Sequence, residues 1–382
     1  MKNKHGQYFT TNEILKDKVI EFIHNNPQTI LEPSVGRGDL CIKIINKYKD
    51  IILDLYEIDD TIESILPQEY IINYCDFLKQ NITIKYPTIV ANPPYIKSAQ
   101  TNIYIQFIEK CFSILEENGE LIFIVPSNFF KTTSAYKILK KMYVNGVFTH
   151  IFHPHNEHMF ENATVDVIIF RYQKTKNIEK KCIYNNKELY TYNGNNIIYF
   201  LKDKPTNVCV FENIFHIYVG MVSGKESVFQ NDMYGNTNIL TGNEVYKKYI
   251  LIEKFPTDNN ALNEYLLKYK HVLMSRKIRH FTEKNWFEWG ALRNKSYIEA
   301  HYNKPCIYIH TLTRNDKVAF IGQVCYFNGN LLILIPKMTC NLQIFVDYIN
   351  NDIDFKNNFM FSGRFSITHN NISNFPVNPS LI

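Results

Sequence analysis

The sequence predicts an α/β chain built on a doubly wound, Rossmann-like parallel sheet and followed by a mixed α+β domain. Short apolar runs at Thr29 to Leu31, Ile51 to Tyr56, Thr88 to Ala91 and Leu121 to Val125 have the character of strands buried on both faces. Helical patterns separate them: Leu40, Ile44, Ile45 and Tyr48 share one face, as do Ile103, Phe107, Ile108, Cys111, Phe112 and Leu115. Val165 to Tyr172 and Tyr190 to Phe200 read as further strands, the latter with a turn at Asn193-Gly194. Beyond about residue 204 the alternation is lost, which divides the chain into domains 1–204 and 205–382.

Composition sets outer limits. A chain of 382 residues, 45% hydrophobic and 21% charged, has material for two cores. Its formal charge of +5 permits a polyanionic partner without demanding one. The eight cysteines stand singly with no Cys-x-x-Cys, which argues against a zinc site or disulfide framework and predicts reduced, mostly buried thiols. No stretch has the apolar length of a membrane span, and Met1 to Gly6 lacks a secretory signal, so no membrane partner and a cytoplasmic location are expected.

Ligands of such sheets sit outside the carboxyl ends of the strands, where this sequence concentrates its polar residues. The first run leads into Glu32-Pro33-Ser34-Val35-Gly36-Arg37-Gly38, a turn whose glycines permit positive φ. It lacks the Gly-Lys-Ser/Thr of a phosphate loop and the third glycine of a dinucleotide fingerprint. Glu32 would repel a pyrophosphate and attract an ammonium group, although alone it reads more readily as a solvated loop acid. The second run ends at Glu57, placed to accept from ribose hydroxyls. Asp76 could accept from an adenine amine between Ile58 and Phe77. Together these acids describe a pocket for an adenosine with a cationic tail, which is S-adenosylmethionine better than NAD or ATP. Upstream, Thr10 and Glu13 have capping-box spacing before a helix carrying Ile14, Leu15, Val19 and Phe22.

The run Ile89 to Ala91 stops at Asn92-Pro93-Pro94-Tyr95. Two prolines stiffen the turn and remove two donors, leaving the Asn92 oxygen and turn carbonyls as acceptors for an exocyclic amine. Tyr95 offers a face for a flat ring. A plain proline turn with a packed Tyr is an equal reading of these four residues alone.

Gln7-Tyr8-Phe9-Thr10, Leu31-Glu32-Pro33-Ser34-x-Gly36-x-Gly38, Tyr56 to Asp59, Asp76-Phe77 and Asn92-Pro93-Pro94-Tyr95 follow one another in a familiar order. In this the chain resembles the gamma class of amino DNA methyltransferases, the TaqI-like adenine-N6 enzymes of restriction-modification systems. The likeness covers roughly the first half, with looser matches at Gly220 to Gly224, Phe229 and Ser362 to Phe365. Thr11 stands where the family usually has proline, and Val35 where a small residue is common. The resemblance implies that Thr10, Glu32, Ser34, Gly36 and Gly38 hold the methionine end of S-adenosylmethionine, Glu57 the ribose, and Ile58, Asp76 and Phe77 the adenine, with Asn92 bordering the cofactor. It implies that Asn92 and the Pro93 carbonyl grip the target amine, that Tyr95 stacks on the base, and that Phe160 forms a second aromatic wall beside which a core Phe is the bland reading. It further implies a target-recognition domain at 205–382, double-stranded DNA as partner, a monomer, and a cognate restriction endonuclease. Related enzymes with the same four-residue motif methylate RNA or a protein glutamine, and that alternative stays open.

Within the second domain, Ser275 to Phe281 and Lys284 to Trp289 interleave cations with aromatics, as nucleic-acid surfaces do. A basic face beside a buried Trp is the competing reading. Arg276, Lys277, Arg279, Trp286, Arg293 and Arg314 are the candidate DNA contacts.

Overall fold

The computed structural model describes residues 8–96, 102–161, 163–176, 179–377 and 381, so Gln7 of the amino-terminal motif lies outside the described residues. The chain divides into two compact units, Met1–Asn207 with Phe361–Gly363, and Val208–Met360 with Arg364–Ile382.

The first unit is one sheet with helices on both faces. Its strands are β1 (Thr29–Glu32), β2 (Ile52–Glu57), β3 (Ile72–Tyr74), β4 (Tyr86–Ala91), β5 (Leu115–Pro126), β6 (Gly146–Phe152), β7 (Val167–Lys174), β8 (Lys181–Tyr184), β9 (Lys187–Gly194) and β10 (Ile197–Leu201). They lie in the order β10-β9-β8-β6-β7-β5-β4-β1-β2-β3. β3, β2, β1, β4 and β5 run parallel, while β7 is inserted antiparallel between β5 and β6. The expected Rossmann-like α/β sheet is therefore present, extended by the antiparallel ribbon β8-β9-β10.

Successive residues of the central strands serve opposite cores, as the two-residue strand period dictates. Leu31, Ile89, Leu121 and Phe123 pack with α3 (Ile103–Ser113) through Ile108 and with α4 (Tyr136–Asn145) through Leu139. Ile30, Val90, Ile122 and Ile124 pack on the other face with α1 (Glu13–Glu21) through Leu15 and Val19 and with α2 (Asp39–Lys47) through Ile44.

One polar knot ties α1 to the sheet. Glu120 of β5 is fully buried and accepts from the backbone amides of His24 and Asn25, the Thr88 hydroxyl and Arg171 Nε at 2.8–3.2 Å. Arg171 passes a further bond from Nη1 to Thr149 at 2.8 Å. Both charges are thus paired and hydrogen-bonded, the condition under which burial is tolerated.

Three local expectations are corrected. The cap of α1 is Asn12, whose side chain accepts from the Leu15 amide, and Thr10 is engaged elsewhere. The β9-β10 turn is Asn195-Asn196, both left-handed at φ 51° and 66°, because asparagine tolerates that region and Gly194 still pairs with Ile197. Of the eight free cysteines, four are buried and four are half-buried.

The second unit is mixed α+β. A four-stranded antiparallel sheet runs Phe215–Val219, Leu331–Pro336, Pro305–His310, Ala319–Gln323. A hairpin of Thr237–Gly242 and Val245–Tyr249 and a helix Asn260–Lys268 share a separate core with Trp286 and Trp289. No helix among the described residues is long and apolar enough to cross a membrane.

Candidate functional site

The carboxyl ends of β1, β2 and β4 and the segment after β3 open onto one cavity lined by Glu32, Ser34, Gly36, Glu57, Ile58, Asp76, Phe77 and Asn92, together with Tyr8, Phe9 and Thr10. Every residue predicted for the cofactor except Gly38 therefore borders the same space.

The β1–α2 turn is shaped by its two glycines. Gly36 and Gly38 have φ of 58° and 98°, and a Cβ on Gly38 would lie 2.6 Å from the Leu66 side chain. Gly38 is the N-cap of α2, and its backbone supplies the left-handed step that starts the helix. It serves the turn rather than the cavity wall.

Three carboxylates line the cavity with different hydrogen-bond partners. Glu32 is 1% exposed and, among the described residues, accepts from Ser34, by amide and hydroxyl at 3.0 and 3.2 Å. Burial pushes its carboxyl up to about 8, the Ser34 bonds pull it down, and Glu57 adds a repulsive push. Glu57 is held by three main-chain donors: Gly36 at 2.8 Å to Oε2, and Ile58 and Asp59 at 2.9 and 3.0 Å to Oε1. Oε1 is thereby filled, while Oε2 keeps one lone pair for a ribose hydroxyl at the end of β2. Asp76 caps a short 3₁₀ turn through the Leu78 amide and pairs with Lys79 at 3.1 Å. Phe77 is buried against Phe107 in a stacked pair at 5.6 Å, whereas Ile58 is exposed. An ammonium group would meet in Glu32 a buried acid that lacks a cation among the described residues, and a nucleoside would find the carboxylates of Glu57 and Asp76 and an aromatic edge. The donor set fits S-adenosylmethionine.

Asn92 occupies the tip of β4. Its Nδ2 donates to the Tyr8 carbonyl at 2.8 Å and the Thr10 hydroxyl at 2.9 Å. A main-chain carbonyl can only accept, so this pairing fixes which end of the amide is nitrogen. Oδ1 receives the Tyr95 hydroxyl at 2.7 Å. Burial holds the Tyr95 hydroxyl far above its ordinary range, so it stays a donor. Pro93 is buried and Pro94 borders the cavity.

Phe160 is 4% exposed and lies 6.4 Å from Tyr95 at 70°. Both rings also pack on Tyr8, at 5.4 Å for Tyr95 and 5.6 Å for Phe160. Tyr8 and Phe9 belong to the amino-terminal motif of the sequence but carry no expected site role, although their aromatic character beside Thr10 was the available signal. Phe9 lies over Gly36 and under the Arg37 guanidinium at 5.3 Å. Asp39, which binds Arg37 at 2.8 Å and borders the cavity, was also missed.

In the second unit the structure separates the predicted DNA contacts. Arg276 is buried and donates to the carbonyls of Leu273, Ser223, Trp286 and Glu288 at 2.7–2.9 Å, with its guanidinium 3.8 Å from the Phe281 ring centre. Trp286 is 2% exposed within the core. Both are corrected to structural residues: the alternation of cations and aromatics there records one arginine stitching a loop. Arg279 pairs with Glu288 at 2.6 Å at the surface. Lys277, Arg293 and Arg314 are exposed.

Known proteins similar to this chain are methyltransferases and enzymes of restriction-modification systems. The model of the Eco57I restriction-modification methylase family matches residues 39–160. The chain is 25% identical to the Type II methyltransferase M.HindII of Haemophilus influenzae, over 98% of this chain and 88% of that protein. It is 30% identical to M.HincII, a Type II methyltransferase of the same species, over 47% of this chain and 39% of the relative. Among solved structures, the Type IIL restriction-modification enzyme MmeI, determined in complex with DNA, shares the fold with a TM-score of 0.58 at 9% identity, over 96% of this chain and 64% of that one. The chain is thus similar to the methyltransferases of restriction-modification systems.

Proposed function

We propose that this chain transfers a methyl group from S-adenosylmethionine to the N6 amine of an adenine rotated out of double-stranded DNA. The observation that carries the reading is the clamped amide of Asn92: with Nδ2 committed to Tyr8 and Thr10, Oδ1 is presented as an acceptor beside the cavity that holds Glu32 and Glu57.

An adenine amine inside a duplex cannot reach that acceptor, so the base leaves the stack at a cost of a few kcal/mol. Stacking on Tyr95 returns about 1–3 kcal/mol of it, and Phe160 supports the ring from its edge. The amine is a weak nucleophile because its lone pair is delocalised into the ring. Oδ1 of Asn92 and the Pro93 carbonyl accept its two hydrogens from one side, which favours a pyramidal nitrogen and frees the lone pair. When bound, S-adenosylmethionine supplies the electrophilic methyl group. Glu32 and Ser34 hold its ammonium end, Glu57 its ribose, and Asp76 with Phe77 its adenine.

The region 205–382 is the proposed target-recognition domain, with Lys277, Arg279, Arg293 and Arg314 as its remaining candidate phosphate or base contacts. A cytoplasmic monomer working beside a restriction endonuclease completes the proposal. Incubation with methyl-labelled cofactor and plasmid DNA, followed by sequencing of modified bases, tests it. Label at N6 of adenine in one sequence context is the expected result; label confined to RNA, to protein or to cytosine contradicts it.

A further inference from the structure

Tyr95 meets three aromatic neighbours, and they differ in kind. Phe160 and Tyr104 approach it edge-on, at 70° and 86° and centroid distances of 6.4 and 6.1 Å. Tyr8 alone lies across its face, tilted by 34° at 5.4 Å. It is the nearest of the three rings and the least steeply inclined, within the centroid range of packed aromatic pairs, so Tyr8 takes up space that a ring stacked on Tyr95 would need. Tyr8 also covers Phe160, at 5.6 Å and 37°. Both walls of the proposed base slot are therefore occupied by the same side chain. The Tyr95 hydroxyl also donates to Asn92 Oδ1, taking one of the two lone-pair positions there and leaving the other for a target amine.

Tyr8 is more exposed than the wall it covers, being half-buried where Phe160 is buried. Its main chain is anchored independently of its ring: the carbonyl accepts from Asn92 Nδ2, and Phe9 packs over Gly36. Rotation about the Tyr8 side-chain torsion would empty the slot while leaving the Asn92 clamp and the cofactor turn in place. A rotation between staggered states needs no backbone change.

We propose that Tyr8 is a specificity-determining plug of the target slot, a ring that stands in for the base and yields only to a planar ring able to replace its two aromatic contacts. The inference deepens the function proposed above and rests on its assignment of Tyr95 as the stacking face. The plug sets a threshold that a small or non-planar amine does not pass, because such a group would displace Tyr8 without restoring the stacking lost.

The test uses the full chain saturated with a non-reactive cofactor analogue, and free 2-aminopurine nucleoside as a fluorescent probe of the slot. Tyr8→Ala is expected to bind the nucleoside about ten-fold more tightly than the unmodified protein, the magnitude of one to two aromatic contacts no longer displaced. Tyr8→Phe, which keeps the ring, is expected to match the unmodified protein. Equal or weaker binding by Tyr8→Ala overturns the proposal, since Tyr8 would then be a bystander or a wall. Thermal melting and a cofactor titration of each variant show that it folds. Methylation of plasmid adenines by the unmodified protein reports separately on the substrate: nucleoside binding that responds to Tyr8→Ala without DNA methylation refutes the substrate alone, and the converse refutes the plug alone.

Discussion

The Tyr95 hydroxyl donates to Oδ1 of Asn92 at 2.7 Å, so the residue proposed to stack on the target also takes one of the two lone-pair positions on the acceptor proposed to grip its amine. The two roles separate by substitution. Tyr95→Phe removes the hydroxyl and keeps the face, and its methyl-transfer rate is expected within about ten-fold of the unmodified protein, since one neutral hydrogen bond contributes about 0.5–1.5 kcal/mol. Tyr95→Ala also removes the stacking and is expected to lose about a hundred-fold. Single-turnover rates with labelled cofactor decide, and a Phe variant as slow as the Ala variant would make the hydroxyl the essential group.

Glu32 makes cofactor binding depend on pH. Its carboxyl is raised from an ordinary 4.5 to about 8, so the empty folded protein holds a proton there that the unfolded chain releases. Stability from this group is full below about pH 4.5 and declines as pH rises toward about 8. A bound ammonium reverses the sign by favouring the carboxylate. The thermal shift produced by S-adenosylmethionine is therefore expected to grow between about pH 6 and 7.5, below the ordinary range of the ligand's own amine. Glu32→Gln should abolish the slope and weaken binding. A slope that persists in that variant would place the titrating group elsewhere.

The buried pair Glu120–Arg171 is expected to matter for folding and not for chemistry. Glu120→Ala strands the guanidinium in the core and leaves the His24 and Asn25 amides unpaired, at a cost of about 3–5 kcal/mol. Urea unfolding measures it. A loss below about 1 kcal/mol would mean that the knot contributes little.

In the second unit, stability and DNA affinity should separate by residue. Arg276→Ala leaves four carbonyls without their donor and is expected to lower the unfolding midpoint markedly. Lys277→Ala and Arg314→Ala are expected to leave the midpoint unchanged. If they contact phosphates, each should reduce the slope of log affinity against log salt by about one. Fluorescence anisotropy at several salt concentrations, beside melting curves, checks both, and a normal melting curve for Arg276→Ala would contradict its structural role.

The parts legible in the sequence were those with a strong local signal. β1, β4 and β5 are continuous apolar runs between glycine or proline turns, and Asn92 and Glu32 stand where such runs stop. β3, a short exposed edge strand, was legible only through the acid that follows its end, and β6 was missed because it carries Thr149 and His150, which meet polar partners. The Arg276 segment failed because periodicity cannot tell a guanidinium offered to solvent from one folded onto four carbonyls. Tyr8 was legible as a motif residue, but its role was not, for a related reason. Its meaning lies in contacts with Tyr95 and Phe160, residues 87 and 152 positions away, and no local pattern encodes them.

The most direct measurement is single-turnover methyl transfer by Asn92→Ala, with cofactor affinity determined by calorimetry on the same preparation. The oriented amide acceptor is expected to be indispensable: transfer to adenine should fall by at least about a thousand-fold, a magnitude typical of losing a preorganised transition-state contact, while cofactor affinity stays within about ten-fold. Transfer at the unmodified rate, with the cofactor bound normally, would contradict the account.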